Sequence, residues 1–269
     1  MGSNTDKAAI QNGRPRLAVH KFSSCDGCQL AFLNAGEALI ALSELVDIVH
    51  FVEAGPVAPE ARVDIAFVEG SIATPEDLER IKCIRDNSRY LITIGACAAA
   101  GGIQALRNLA DGQAWIDAVY ASPQYIDALA TSTPIADHVK VDLELWGCPV
   151  NTRQVLAAVR ALLFGVVPVV SRDSVCLECK RAGNVCVLVA KGMPCMGPVT
   201  QTGCGALCPS FGRDCYACYG PAENVNTRSL SRRFAGLGLL PEAVARRFLT
   251  VNAAAPVFVQ AAQQARGKP

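Results

Sequence analysis

From Arg16 to about Phe164, short apolar runs alternate with longer segments in which apolar positions recur every three or four residues. Five runs, Leu17–Phe22, Val46–Val52, Asp64–Val68, Tyr90–Ile94 and Val139–Trp146, are rich in β-branched and aromatic residues and bounded by turn residues, which predicts strands. The helical period falls on Leu30–Leu45, Pro75–Asp86, Ile103–Leu109 and Thr152–Leu163. Thr74-Pro75-Glu76-Asp77 reads as a helix start, with a hydroxyl cap, proline in the first turn and acids at the positive end of the dipole. Strands alternating with helices predict an α/β fold with a flavodoxin-like parallel sheet covered on both faces.

The pattern changes at Ser171. Up to Pro221, glycine, proline and cysteine dominate and little periodicity remains from which to build a core, so metal is expected to organise this segment. Helical spacing returns over Asn224–Phe248, with Pro241 opening a last helix at Glu242–Leu249, and Ala261–Pro269 is expected to be loose. The organisation read from the chain is a disordered N-terminus (1–15), a flavodoxin-like domain (16–165), a small cysteine-rich, ferredoxin-like iron–sulfur region (166–222) and a C-terminal helical extension (223–269).

Apolar residues make up 51% and charged ones 18%, with a net charge of +1. A nearly neutral chain gives no reason to expect nucleic acid or an anionic membrane as partner. Low charge is consistent with a surface partly covered by another protein. The longest apolar stretch, near Leu162–Val170, is interrupted by Gly165 and Pro168 and is too short to span a bilayer. Met1–Pro15 contains neither an apolar leader nor a twin-arginine pair, which predicts a cytoplasmic protein. In a reducing compartment cysteines point to metal or redox roles and not to structural disulfides.

Twelve of the thirteen cysteines fall into three sets of four. Cys25 and Cys28 follow the first predicted strand, Cys97 the fourth and Cys148 the fifth. In a parallel sheet the carboxyl ends of the strands share one edge, so these four meet by topology, and Glu69, after the third strand, reaches the same edge as a candidate neighbour of a bound group. The other eight, Cys176, Cys179, Cys186, Cys195, Cys204, Cys208, Cys215 and Cys218, lie close together in sequence. Four thiolates suit a cubane [4Fe–4S] cluster, so three clusters are expected, and with them electron transfer. Contiguous foursomes and a ferredoxin-like exchange of one cysteine are both open for the later eight; Cys208-Pro209 is the pair seen in ferredoxins. Cys83, on a predicted helix, is read as a packing residue.

Other chemistries fit parts of this pattern. Cys25-Asp-Gly-Cys28 alone would suit a thiol oxidoreductase. Eight crowded cysteines could hold two zinc ions, although only Cys176/Cys179 and Cys215/Cys218 have knuckle spacing. None of the three histidines, His20, His50 and His138, lies in the crowded segment.

Cys25-Asp-Gly-Cys28-Gln29, Val68-Glu69-Gly70-Ser71, Gly95-Ala96-Cys97 and Gly147-Cys148-Pro149 together resemble the small, electron-transfer subunit of nickel–iron hydrogenases. Gly203-Cys204-Gly-Ala-Leu-Cys208-Pro209 and Cys215-Tyr-Ala-Cys218-Tyr-Gly-Pro221 are similar to the cytoplasmic branch, which includes delta subunits of NAD(P)-linked sulfhydrogenases and small subunits of F420-non-reducing hydrogenases. The resemblance implies a proximal cluster on Cys25, Cys28, Cys97 and Cys148, and medial and distal clusters on the later eight. It implies no catalytic residue in this chain, a large subunit holding the nickel–iron centre, and a flavin/NAD(P)-binding or ferredoxin-like acceptor subunit. A complex I-like or formate-linked oxidoreductase subunit is the alternative. The complex I motif begins with two adjacent cysteines, whereas Asp26 and Gly27 separate the pair here.

Overall fold

In a computed structural model that describes residues 13–267, five parallel strands form one sheet: β1 (Arg16–Lys21), β2 (Asp47–Phe51), β3 (Val63–Glu69), β4 (Ser88–Ile94) and β5 (Leu143–Leu145). Their spatial order is β2-β1-β3-β4-β5, the flavodoxin order. The expected N-terminal disorder lies, through residue 12, outside the described residues, as do the last two residues of the chain.

Alternation along the strands sorts side chains onto two faces. Leu17, Val19, Ile65, Phe67, Ile92 and Ile94 pack with α1 (Gly27–Leu33), α2 (Glu37–Leu45) and, after β5, a long helix at Thr152–Leu163. Ala18, Ala66, Val68 and Leu91 pack beneath α3 (Pro75–Asp86) and α4 (Gly95–Ala100). A further helix, α5 (Gly112–Val119), precedes β5, and the Thr152–Leu163 helix is α6. Thr74 caps α3 as expected: its hydroxyl accepts the Asp77 N–H at 3.2 Å, and the Asp77 carboxylate accepts the Thr74 N–H at 3.0 Å.

Four sequence expectations change. Leu30–Leu45 is two helices, not one, because the chain turns at Gly36 with φ of 56°. Ile103–Leu109 is a 3₁₀ segment. The fifth strand is confined to Leu143–Leu145, since the Asp142 carboxylate, not a backbone carbonyl, accepts the Leu91 N–H at 2.9 Å. The end expected to be loose is helical as far as Ala265.

The cysteine-rich segment carries α7 (Val175–Arg181), α8 (Val187–Ala190) and α9 (Leu207–Ser210), and is followed by α10 (Thr227–Gly236), α11 (Pro241–Leu249) and α12 (Pro256–Ala265). One buried cluster joins Met196, Val199 and Ala217 to Phe234, Phe248 and Phe258. The core that the cysteine-rich segment lacks in its own sequence is thus contributed by the last three helices. Asn252, fully buried, adds a hydrogen bond from its side-chain amide to the Ala217 carbonyl at 2.9 Å.

Candidate metal centre

The carboxyl edge of the sheet gathers Cys25 from the loop after β1, Cys28 from the first turn of α1, Cys97 from α4 and Cys148 from the loop after β5. The Cys97 thiol is pushed up to about 12, first by burial and then by Cys148, Cys25 and Glu69. The Cys28 thiol rises too, by burial, then Glu69, with Cys97 and Cys148 contributing. These mutual influences reflect four thiols at one place. Burial moves Cys28 in the direction opposite to that of an activated dithiol nucleophile.

Glu69, the last residue of β3, is 2% exposed and supports this edge. Its Oε1 accepts the Cys28 N–H at 3.0 Å and its Oε2 the Gln29 N–H at 3.2 Å. One carboxylate thus fixes the first turn of α1, and with it the Cys28 thiol. Burial, partly opposed by these hydrogen bonds, raises its affinity for a proton. Between the paired cysteines, Asp26 takes a left-handed φ of 65° and accepts from Lys21 Nζ at 2.7 Å, which ties the loop to the end of β1.

Glycines leave room beside these thiols. A Cβ at Gly95 would run into Cys28 Sγ, and one at Gly102 would lie 2.5 Å from Cys97 Sγ. The Val150 N–H donates to Cys28 Sγ at 3.4 Å. Among the described residues no three Cys, His, Asp or Glu side chains close on a point as a single metal ion would need. Converging thiols, an open cradle and backbone N–H donors fit a cubane cluster, whose sulfurs accept such hydrogen bonds.

The later eight fall into two neighbourhoods. Cys176, Cys179, Cys186 and Cys195 line one cavity, with Gly197 beside it; a Cβ there would meet Cys195 Sγ at 3.4 Å and Cys176 Sγ at 3.6 Å. Cys204, Cys208, Cys215 and Cys218 line a larger cavity of about 980 Å³, which Cys148 also reaches. Cys215 stands at the seam: its N–H donates to Cys195 Sγ at 3.3 Å, and its buried thiol lies against Thr200. Cys218, pushed up to about 12 by burial and then by Cys204 and Cys148, lines the same cavity as Cys148. The three thiol groups therefore follow one another through the molecule.

Glu178, which sequence reasoning did not single out, repeats the arrangement of Glu69. It lies on α7 between Cys176 and Cys179, and its two oxygens accept the Gly203 N–H at 2.9 Å and the Ala206 N–H at 3.2 Å, on either side of Cys204. An acid inside a C-x2-C pair was the signal available, but its partners are remote in sequence. Cys83, expected to be a packing residue, is instead exposed on α3, its sulfur accepting from the Asn87 amide at 3.4 Å. It joins none of the three groups.

A parallel α/β sheet whose edge collects four thiols, followed by two further foursomes, defines an iron–sulfur electron-transfer protein. Residues 25–162 match the family of the NADH ubiquinone oxidoreductase 20 kDa subunit. The chain is 35% identical over 211 residues to the sulfhydrogenase 2 delta subunit of Pyrococcus furiosus, covering 78% of this chain and 88% of that one. It is 30% identical over 237 residues to one of the chains of the F420-non-reducing hydrogenase of Methanocaldococcus jannaschii, with 77% and 82% covered. A crystal structure of an NAD+-reducing [NiFe]-hydrogenase in the H2-reduced state aligns with a TM-score of 0.55 and 26% identity, over 59% of this chain and 96% of that one. The chain belongs to the 20 kDa-subunit family, in the hydrogenase small-subunit branch, and is an electron-transferring oxidoreductase subunit. None of its helices, among the described residues, is long and apolar enough to cross a membrane.

Proposed function

We propose that this chain carries three [4Fe–4S] clusters and connects the nickel–iron centre of a separate large subunit to a flavin/NAD(P)-binding or ferredoxin-like acceptor subunit, in the cytoplasm. Cys25, Cys28, Cys97 and Cys148 would hold the proximal cluster. Cys204, Cys208, Cys215 and Cys218 would hold the middle one, and Cys176, Cys179, Cys186 and Cys195 the last. Each cluster, when bound, takes up and releases one electron.

The observation that carries this reading is that Cys148 lines the same cavity as Cys204, Cys208, Cys215 and Cys218, while the Cys215 N–H donates to Cys195 Sγ at 3.3 Å, so that the three foursomes adjoin in series. Exposure supports the direction. Cys25 and Cys148 are exposed at one end and Cys186 at the other, while Cys204, Cys208, Cys215 and Cys218 are half-buried or buried between them. The protein's own contribution is positional: Glu69 and Glu178 fix the cysteine loops, glycines admit the inorganic core, and the Val150 and Cys215 N–H groups, aimed at Cys28 and Cys195 sulfur, tune its potential. The two residues between Cys25 and Cys28 favour the hydrogenase branch over a complex I-like subunit.

Anaerobic copurification with the partner chain, followed by metal analysis, tests the reading. The expected result is about twelve iron atoms per copy of this chain, four per cluster, and nickel in step with the partner. Colourless protein with stoichiometric zinc, or iron-free protein with titratable thiols, would refute it.

A further inference from the structure

The surface around Cys186 combines apolar exposure with charge of one sign. Between Glu178 and Asp214 the chain carries Lys180, Arg181, Lys191 and Arg213 and no acid, although its overall net charge is only +1. All four cations are exposed. The two flanking acids do not offset them: Glu178 accepts the two backbone N–H groups near Cys204, and Asp214, 5% exposed, pairs with Arg247.

Hydrogen bonds join these positions into one face. Asn184 Nδ2 donates to Ser210 Oγ at 3.1 Å, tying the Cys186 loop to the turn after Cys208, and Lys191 Nζ reaches the Gly212 carbonyl at 3.4 Å, next to Arg213. On the same loops Val185, Val189 and Phe211 are 67%, 75% and 77% exposed. Cys186 is the exposed cysteine of the later eight.

We propose that this face docks a ferredoxin-type one-electron carrier whose contact surface is acidic around an apolar centre. The inference rests on the reading that the Cys176–Cys195 set is last in the relay. Charge complementarity selects the occupant: a second copy of this chain, related by a two-fold axis, would set four cations against four. The hand-over is one electron. The chain is oxidised by one equivalent and the oxidised carrier reduced by one, with no bond made or broken and no proton moved.

The test uses the hydrogenase complex reduced by dithionite, desalted, and mixed by stopped flow with an oxidised plant-type [2Fe–2S] ferredoxin. The second-order rate constant is expected to fall about tenfold or more from low to high salt, as steered encounters do. The triple variant Lys180→Glu/Lys191→Glu/Arg213→Glu should lose about tenfold or more at low salt while keeping its iron content and reduced-minus-oxidised spectrum. Carbodiimide should couple ferredoxin carboxylates to Lys180 or Lys191 in the parent complex. A salt-independent rate that survives charge reversal, cross-links confined to other faces, equal reactivity with basic cytochrome c, or binding to phosphatidylglycerol vesicles in preference to ferredoxin would overturn the proposal. Because dithionite supplies the electrons, docking is read out even if hydrogen reduces nothing, an outcome that would sink the hydrogenase assignment alone.

Discussion

At the residue scale, two buried or half-buried carboxylates hold the cysteine loops in place. Glu69 and Glu178 each accept two backbone N–H groups beside a cysteine. Truncating either orphans two donors, at about 1–3 kcal/mol each where they are buried. Glu69→Ala is therefore expected to lower the melting temperature of the anaerobic protein and to remove about four irons, those of the first site. Glu69→Gln, which keeps one acceptor oxygen, should retain most of that iron. Glu178→Ala should deplete iron from both later sites, since the carboxylate links the α7 cysteines to the Cys204 loop. Full iron with an unchanged melt in both alanine variants would mean that these acids are incidental to the centres. Glu69 was legible as an edge residue because the strand pattern placed it. Glu178 was not, because its partners are fixed by how a loop without periodicity folds back.

At the scale of elements, the strongest local signals carried through and the weak ones did not. The α3 start could be read in full, since cap, proline and acids are contiguous in sequence, and the structure has the reciprocal capping box. Thr74→Ala should cost about 1 kcal/mol in urea unfolding of the anaerobic protein, with iron content unchanged; no loss of stability would show that tertiary packing alone holds this end. α4 was invisible in the sequence, because Gly95 at its start and Gly101 and Gly102 at its end read as loop around Cys97. α12 is hidden in the sequence for another reason. Its apolar positions Phe258, Ala261 and Ala262 have helical spacing, but their cover comes from α10 and α11, and helices of this length owe most of their stability to packing. β5 is shorter than the run predicts because Val139 and Val141 look like strand, whereas the Leu91 N–H goes to the Asp142 carboxylate, which also holds Arg85 at 2.7 Å, while the Asp142 N–H still donates to the Leu91 carbonyl at 2.9 Å.

At the scale of the whole molecule, the first foursome followed from topology alone: in a parallel sheet of order β2-β1-β3-β4-β5, the residues after β1, β3, β4 and β5 must share an edge. The grouping of the later eight did not, since it depends on contacts such as that of Cys215 with Cys195. If the three foursomes form one series, the joint between first and second is where interruption is most informative. Cys218 is that joint, since it shares a cavity with Cys148 of the first foursome. Cys218→Ser should keep the first site loaded and reducible by hydrogen, seen as a persisting low-temperature spin signal, while reduction of the protein acceptor collapses. Cys148→Ser should instead abolish both. Cys83→Ser, altering an exposed thiol on α3, should change neither iron content nor electron delivery. Acceptor reduction that survives in Cys218→Ser at the parent rate, with the middle site empty by iron count, would show that electrons leave the first site by another route and that the serial arrangement is not the working path.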